Sequence, residues 1–263
     1  MQMTKAFTIV AVSIFLFGCQ AEEGADQTTA QIDEQPSLAV EQAINPKQDV
    51  AKVVESWQHD PHKNPNPHSN LSPNQHIKVA LQHQQEGRNF EAVNSLTKAI
   101  GVYPANSELY FIRSQLHAQQ ESFSEAMTDM EKAVELDENV ASYRINRAQL
   151  YRKFGRYEEA LADLDYAISL DNTQLAAFFN RGALRYNRNN LSGALEDFEM
   201  CIALDPHAPA PYFNRATVLR DLGKLDSALA DLDRFIQISP NPEWTKVAND
   251  MKVEWSSSAK GNS

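Results

Sequence analysis

The sequence predicts an all-α solenoid: five helix–turn–helix units of 34 residues, closed by one further helix. Three observations predict it. Asn214-Arg215-Ala216 is matched 34 residues earlier by Asn180-Arg181-Gly182, and 34 before that by Asn146-Arg147-Ala148. Small residues return at one register, at Ala92, Ala126, Ala160, Ala194 and Ala228. A residue that tolerates left-handed backbone falls between the two helices of most units. A period in this range marks a repeat array, whose units bury their apolar faces against one another.

Five gapless units tile residues 73–242, as 73–106, 107–140, 141–174, 175–208 and 209–242. The first helix opens at Ser72-Pro73-Asn74-Gln75, a capping box with proline at the first helical position. The eighth position carries Ala80, Ser114, Ala148, Gly182 and Ala216, which lets paired helices approach. The twenty-fourth supplies bulk between them: Leu96, Met130, Leu164, Phe198 and Leu232. Gly87, Gly155, Gly223 and Asn189 suit a left-handed cap in the turn, and Glu121 departs from this. The twenty-seventh position is small in four units, so Cys201 reads as a core residue, and Phe235 marks a different last unit. After Pro240-Asn241-Pro242 a capping helix is expected over 243–255, with Trp244, Val247, Ala248, Met251 and Trp255 on one face. The tail, 256–263, is expected to be disordered.

This period and these small positions resemble the tetratricopeptide repeat family over 170 of 263 residues. The resemblance implies a right-handed solenoid with a concave groove lined by the first helix of each unit. On that reading the groove includes Phe111, Phe179 and Phe213 at the fifth position and Asn146, Asn180 and Asn214 at the sixth. An asparagine row offers donors and acceptors to an extended peptide, and apolar neighbours take its side chains. Arg152, Lys153 and Arg220 add positive charge on the same helices. The alternative is that the asparagines are surface polar groups and the fifth position packs between units. His76, His83 and His117 stand where the family usually has Trp or Tyr, and read as packed residues.

The seventh position is usually leucine in this family. Here it is Arg113, Arg147, Arg181 and Arg215, and the twenty-third is Asp129, Asp163, Asp197 and Asp231 in the same units. The first unit has Val79 and Ser95, so both charges are missing together. A partly buried arginine needs an anionic partner. Four salt bridges within units are therefore expected, each between residues 16 apart.

The amino terminus reads as an export signal over 1–18. Lys5 precedes an apolar run, Ala6 to Phe17, too short to span a bilayer. Leu16-Phe17-Gly18-Cys19 resembles the lipobox of bacterial lipoproteins, which implies lipidation of Cys19. Gln20, where an aspartate often signals inner-membrane retention, favours an outer-membrane anchor facing the periplasm. Residues 19–72 read as an acidic flexible tether, with nine acidic against three basic residues over 20–72. An amphipathic helix is expected at 46–58, with Val50, Val53, Val54 and Trp57 on one face.

Composition excludes several classes. The net charge of −11 argues against a nucleic-acid partner. Nine glycines and no phosphate-cradling motif argue against nucleotide cofactors, and two cysteines with loosely spaced His59, His62 and His68 make no metal site. No cofactor, no metal and no catalytic constellation are expected, so the chain reads as a scaffold rather than an enzyme. Its expected partners are a protein or peptide and, through the lipid, a membrane. It resembles the envelope lipoproteins of this repeat family that organise peptidoglycan enzymes. The alternatives are a pilotin-like factor for secretin or pilus assembly, and a structural homo-oligomer.

Overall fold

The computed structural model describes residues 71–260, and shows eleven helices and no strand among them. Expectations for the signal segment, Cys19, the tether and the helix at 46–58 lie outside the described residues. The first unit is α1 (Pro73–Gln85) and α2 (Asn89–Val102), and the second is α3 (Ser107–Gln119) and α4 (Phe123–Leu136). Then follow α5 (Ala141–Lys153) and α6 (Tyr157–Leu170), α7 (Leu175–Asn187) and α8 (Leu191–Leu204), and α9 (Pro209–Asp221) and α10 (Leu225–Ile238). The last helix, α11, spans Pro242–Lys260. It runs past residue 255, so a tail beginning at 256 is corrected: helix continues through Ser256 and Ser257. None of the described helices is long and apolar enough to cross a membrane.

Local chemistry sets the helix ends. At the start of α1, Ser72 Oγ accepts from the Gln75 N–H, and Gln75 Oε1 accepts from the Ser72 N–H at 2.7 Å. All five turns within units share one closure. In the second unit the Ser122 N–H donates to the His117 carbonyl and the Glu121 N–H to that of Ala118. The same pair of bonds closes the turns at Gly87, Gly155, Asn189 and Gly223. This is the Schellman motif, and it requires positive φ at the residue after the cap. Glu121 meets that requirement at φ 59°, although it is neither glycine nor asparagine.

Packing follows the small and large positions. Ala92, Ala126, Ala160, Ala194 and Ala228 are fully buried, and so are Leu96, Leu164 and Leu232. The fourth unit exchanges sizes. A Cβ on Gly182 would lie 3.0 Å from Phe198 Cε1 and from Asp197 Cβ, so glycine there makes room for the larger ring. Cys201 is buried, with Sγ 3.6 Å from the Leu175 carbonyl oxygen, and burial pushes its thiol far above the ordinary range. Such a thiol packs rather than reacts. Each second helix also touches the first helix of the following unit, and α11 packs on α10 in the corresponding place. Ala248 and Trp255 of α11 are buried with Leu232 and Phe235.

Candidate functional site: the inner wall and the charge ladder

The four arginines and four aspartates meet. Arg113 Nε and Nη2 donate to Asp129 Oδ2 and Oδ1 at 2.7 and 2.6 Å. Arg147 holds Asp163 in the same two-pronged way, both bonds 2.7 Å, and Arg215 holds Asp231 likewise. Arg181 Nη2 donates to Asp197 Oδ1 at 2.6 Å, with Nε shared between both oxygens at 3.1 Å. All four carboxylates are 1–6% exposed. Paired forks of this kind satisfy a buried carboxylate in both geometry and charge.

Further contacts extend these pairs into a ladder between units, which the sequence reading missed. Arg113 Nη1 donates to Thr97 Oγ1 at 3.0 Å, and Arg181 Nη1 to Asp165 Oδ1 at 2.7 Å. Thr97 and Asp165 both stand at the twenty-fifth position of the preceding unit. Glu131 and Glu199 occupy that position before Arg147 and Arg215; the hydrogen bonds these arginines donate to Asp163 and Asp231 raise the guanidinium pKa values above normal, and the charge of the two glutamates adds to this. Arg144 adds a bond to Asp163 at 3.2 Å, and Arg185 one to Asp197 at 2.9 Å. Asp197 is so enclosed that burial raises its carboxyl above the ordinary value despite both arginines.

The inner wall departs from expectation at the fifth and sixth positions. Phe179 is 1% exposed and lies 5.4 Å from Phe198. Phe213 lies 5.1 Å from Phe235 and 5.8 Å from Trp244, and Phe111 is 4.7 Å from Tyr143. Phe179 is therefore packed between helices, whereas Phe111 and Phe213 remain partly exposed beside their ring partners. The asparagines divide. Asn146 Nδ2 donates to the Ser142 carbonyl and Asn180 Nδ2 to that of Ala176, each 2.8 Å away and one turn back. Asn180 is buried, because α7 touches the first helices on both sides, α5 and α9. Asn146 and Asn214 stay partly open. Asn214 Nδ2 is buried without a hydrogen-bond partner, as is Nε2 of Gln149 at the ninth position of the third unit.

The basic residues also divide. Arg220 donates to Asp221 Oδ1 at 2.7 Å, and its guanidinium lies 5.2 Å from the Trp255 ring. Asp221 Oδ2 accepts from the Tyr186 hydroxyl at 2.7 Å, and burial together with that carboxylate pushes the hydroxyl far above its usual range. Arg220 thus joins the last unit to α11 rather than offering an unpaired charge. Lys153 is exposed, with Nζ 5.2 Å from the Phe123 ring. Glu108, at the second position of the second unit, is partly buried, and burial lifts its carboxyl to about 7.

Comparison with known proteins agrees with this architecture. Tetratricopeptide repeat profiles match residues 107–140 and, in two overlapping spans, 145–209 and 179–241. No curated protein matches the sequence. Among solved structures, PilF of Pseudomonas aeruginosa is similar at 21% identity and a TM-score of 0.60, over 70% of this chain and 88% of that one. PilW, described as a widely conserved type IV pilus biogenesis factor, is similar at 16% identity and TM-score 0.61, over 73% and 94%. YrrB, described as having an unusual peptide-binding site, is similar at 20% identity and TM-score 0.57, over 77% and 96%. At these identities the likeness is one of fold, and the fold is that of protein–protein interaction scaffolds. Repeat period, helix-pair packing and profile match converge: the chain is a tetratricopeptide repeat protein.

Proposed function

We propose that the protein is a non-catalytic adaptor of the bacterial cell envelope, anchored in the outer membrane through a lipid on Cys19 and holding an extended protein segment against its inner wall. One observation carries the binding part of this reading. Gln149 Nε2 and Asn214 Nδ2 are donors on first helices, buried and without partners. An unsatisfied buried donor costs about 1–3 kcal/mol, which a backbone carbonyl would recover once a bound segment displaces the side chains that cover it. The Asn146 side chain, still partly open on the sixth position, stands one turn before Gln149 on the same helix. The anchoring part is supported by the lipobox-like Leu16-Phe17-Gly18-Cys19.

A photo-activatable residue at Gln149, used in intact cells and followed by mass spectrometry, tests the binding reading. An adduct with a second envelope protein is the expected result. Adducts with secretin or pilus subunits alone would turn the reading toward a pilotin-like role, and adducts with a second copy alone toward a homo-oligomer. Labelling with a palmitate analogue tests the anchor: the wild type should carry the label and Cys19→Ser should not.

A further inference from the structure

Six acids among the described residues are withdrawn from full solvent exposure: Glu108, Asp129, Asp163, Asp171, Asp197 and Asp231. Four of them are the ladder aspartates, each held by an arginine. Asp171 accepts from the N–H and hydroxyl of Thr173 and from the Gln174 amide. Glu108 differs from the other five. It makes no hydrogen bond and no ion pair with any described residue. Burial acts on its carboxyl with no cation to offset it. A desolvated carboxylate without a partner is costly, so its place in the fold calls for a reason.

The ladder shows what this fold sets against a withdrawn carboxylate. In all four pairs the guanidinium that holds the aspartate also lies over an aromatic ring. Arg113 is 5.8 Å from the centre of Tyr110, Arg147 5.5 Å from Tyr151, Arg181 5.5 Å from Phe178 and Arg215 5.8 Å from Tyr212. Each set has three parts: carboxylate, guanidinium and ring. Around Glu108 two of the three are present. Phe111 stands three residues later on α3, on the same side of the helix, and is partly exposed. Its ring lies 4.7 Å from that of Tyr143 on α5. The Tyr143 hydroxyl is 3.3 Å from Oγ of Ser107, the residue before Glu108. Burial raises that hydroxyl above its ordinary value, and the charges of Glu108 and Asp137 add to this. Carboxylate and rings are therefore neighbours, and the cation is the missing part.

We infer that Glu108, beside the rings of Phe111 and Tyr143, receives an arginine side chain of the bound partner segment. That arginine completes the set which the chain assembles four times from its own residues. The inference rests on the reading that the protein holds an extended protein segment, and names a side chain that the segment carries. A planar guanidinium can meet a carboxylate with its fork and a ring with its face, whereas a lysine ammonium supplies charge without the plane. A metal ion is a poorer fit, because no group of three His, Cys, Asp or Glu among the described residues could hold one.

An NMR titration of the full chain with Nα-acetyl-arginine amide, at pH 8 and low salt, tests this. At that pH the Glu108 carboxyl, with its pKa of about 7, is ionised. The expected result is a saturable shift of the Glu108, Phe111 and Tyr143 resonances. Nα-acetyl-citrulline amide, close in shape but uncharged, should leave them in place, and Nα-acetyl-lysine amide should bind more weakly than the arginine probe. Glu108→Gln should weaken the arginine probe about tenfold, the loss of one charge-assisted contact. That variant relieves a buried charge at pH 8, so lost binding in it is not lost folding. The inference is overturned if the three resonances stay in place, if the citrulline or lysine probe moves them equally, or if Glu108→Gln binds the arginine probe as tightly as the wild type. No partner is needed. Failure here with the Gln149 adduct retained rejects the arginine site and spares the adaptor reading, and the reverse pair of results does the opposite.

Discussion

The first and fourth units fold the same helix pair with different chemistry at the joint. In the first, Val79 and Ser95 take the places of Arg181 and Asp197, and Ser95 Oγ donates to the Glu91 carbonyl of its own helix at 2.9 Å. In the fourth, Asp197 is gripped by Arg181 and Arg185, and Arg181 reaches back to Asp165 in the third unit. Both joints are closed, with Ala80 against Leu96 in one and Gly182 against Phe198 in the other. The ion pair is therefore not what brings two helices together. It stands where a preceding unit presents a side chain at the twenty-fifth position, and among the described residues no unit precedes the first. The far end obeys the same logic: Asp233, at the twenty-fifth position of the last unit, pairs with Lys252 of α11. The ladder is a junction between units.

The sharpest way to break this comparison is to remove an acid at one joint and its counterpart at the other. Asp197→Ala leaves two guanidinium groups without their buried partner and should destabilise by about 3–5 kcal/mol. Ser95→Ala, which loses a hydroxyl bonded within its own helix, should change stability by about 0.5 kcal/mol or less. Equal losses in chemical denaturation would reject the distinction. Rewriting the second unit as the first, with Arg113→Val and Asp129→Ser together, removes both charges at once and should cost only about 1–2 kcal/mol.

A second contrast lies in the size exchange. Gly182→Ala places a Cβ 3.0 Å from both Phe198 and Asp197, and overpacking of this kind costs about 1–3 kcal/mol. Adding Phe198→Leu restores the alanine–leucine pairing of the first unit and should recover most of the loss in thermal melts. No recovery would show that the strain falls on Asp197 rather than on the ring.

Much of this was legible in the sequence, and the boundary has a physical cause. Arg147 and Asp163 could be paired because the period fixes both on facing helices of one unit. The link from Arg113 to Thr97 or from Arg181 to Asp165 was not, because the partner's type changes from unit to unit and only its place is constant. Phe179 and Asn180 were assigned to one wall because the family resemblance puts both the fifth and sixth positions on the groove. They lie about 100° apart around a helix, so one turns into the joint with Phe198 while the other meets the neighbouring first helices. How tightly α5, α7 and α9 close around Asn180 depends on solenoid curvature, which no single unit encodes. The contact of Arg220 with Trp255 was not legible for a related reason, since that ring stands 35 residues away on a helix outside the repeat.

Glu108 is the one acid at the second position, where the first and fourth units have Asn74 and Ala176. Its folded pKa, about 7, lies above the ordinary value of 4.5, so the folded state binds the proton more tightly than the unfolded chain. The stability this group contributes is present below pH 4.5 and is lost as pH rises through 7. Glu108→Gln should flatten that part of the stability profile and make the protein more stable than wild type at pH 8. A carboxyl resonance of Glu108 titrating near 4.5 by NMR would reject the prediction.

The smallest expected effect concerns the turn, where the first unit has Gly87 at φ 74° and the second has Glu121 at φ 59°. Both close the same Schellman motif, so the backbone geometry is held constant and only the side chain differs. A residue with a Cβ pays about 1–2 kcal/mol for left-handed backbone, because Cβ crowds the following carbonyl oxygen. Glycine avoids that strain but leaves the unfolded chain freer by about 0.4–1 kcal/mol. The difference favours Glu121→Gly by about 0.5–1 kcal/mol. Asn189→Gly should gain less, because asparagine already tolerates this region. The reverse change, Gly87→Glu, should cost the first unit what the second gains, since no heavy atom lies within 4 Å of the Cβ it would add. Midpoints of denaturation for the three variants test the account together. If Gly87→Glu proves neutral, the strain assigned to Glu121 is absent and the turn tolerates any residue.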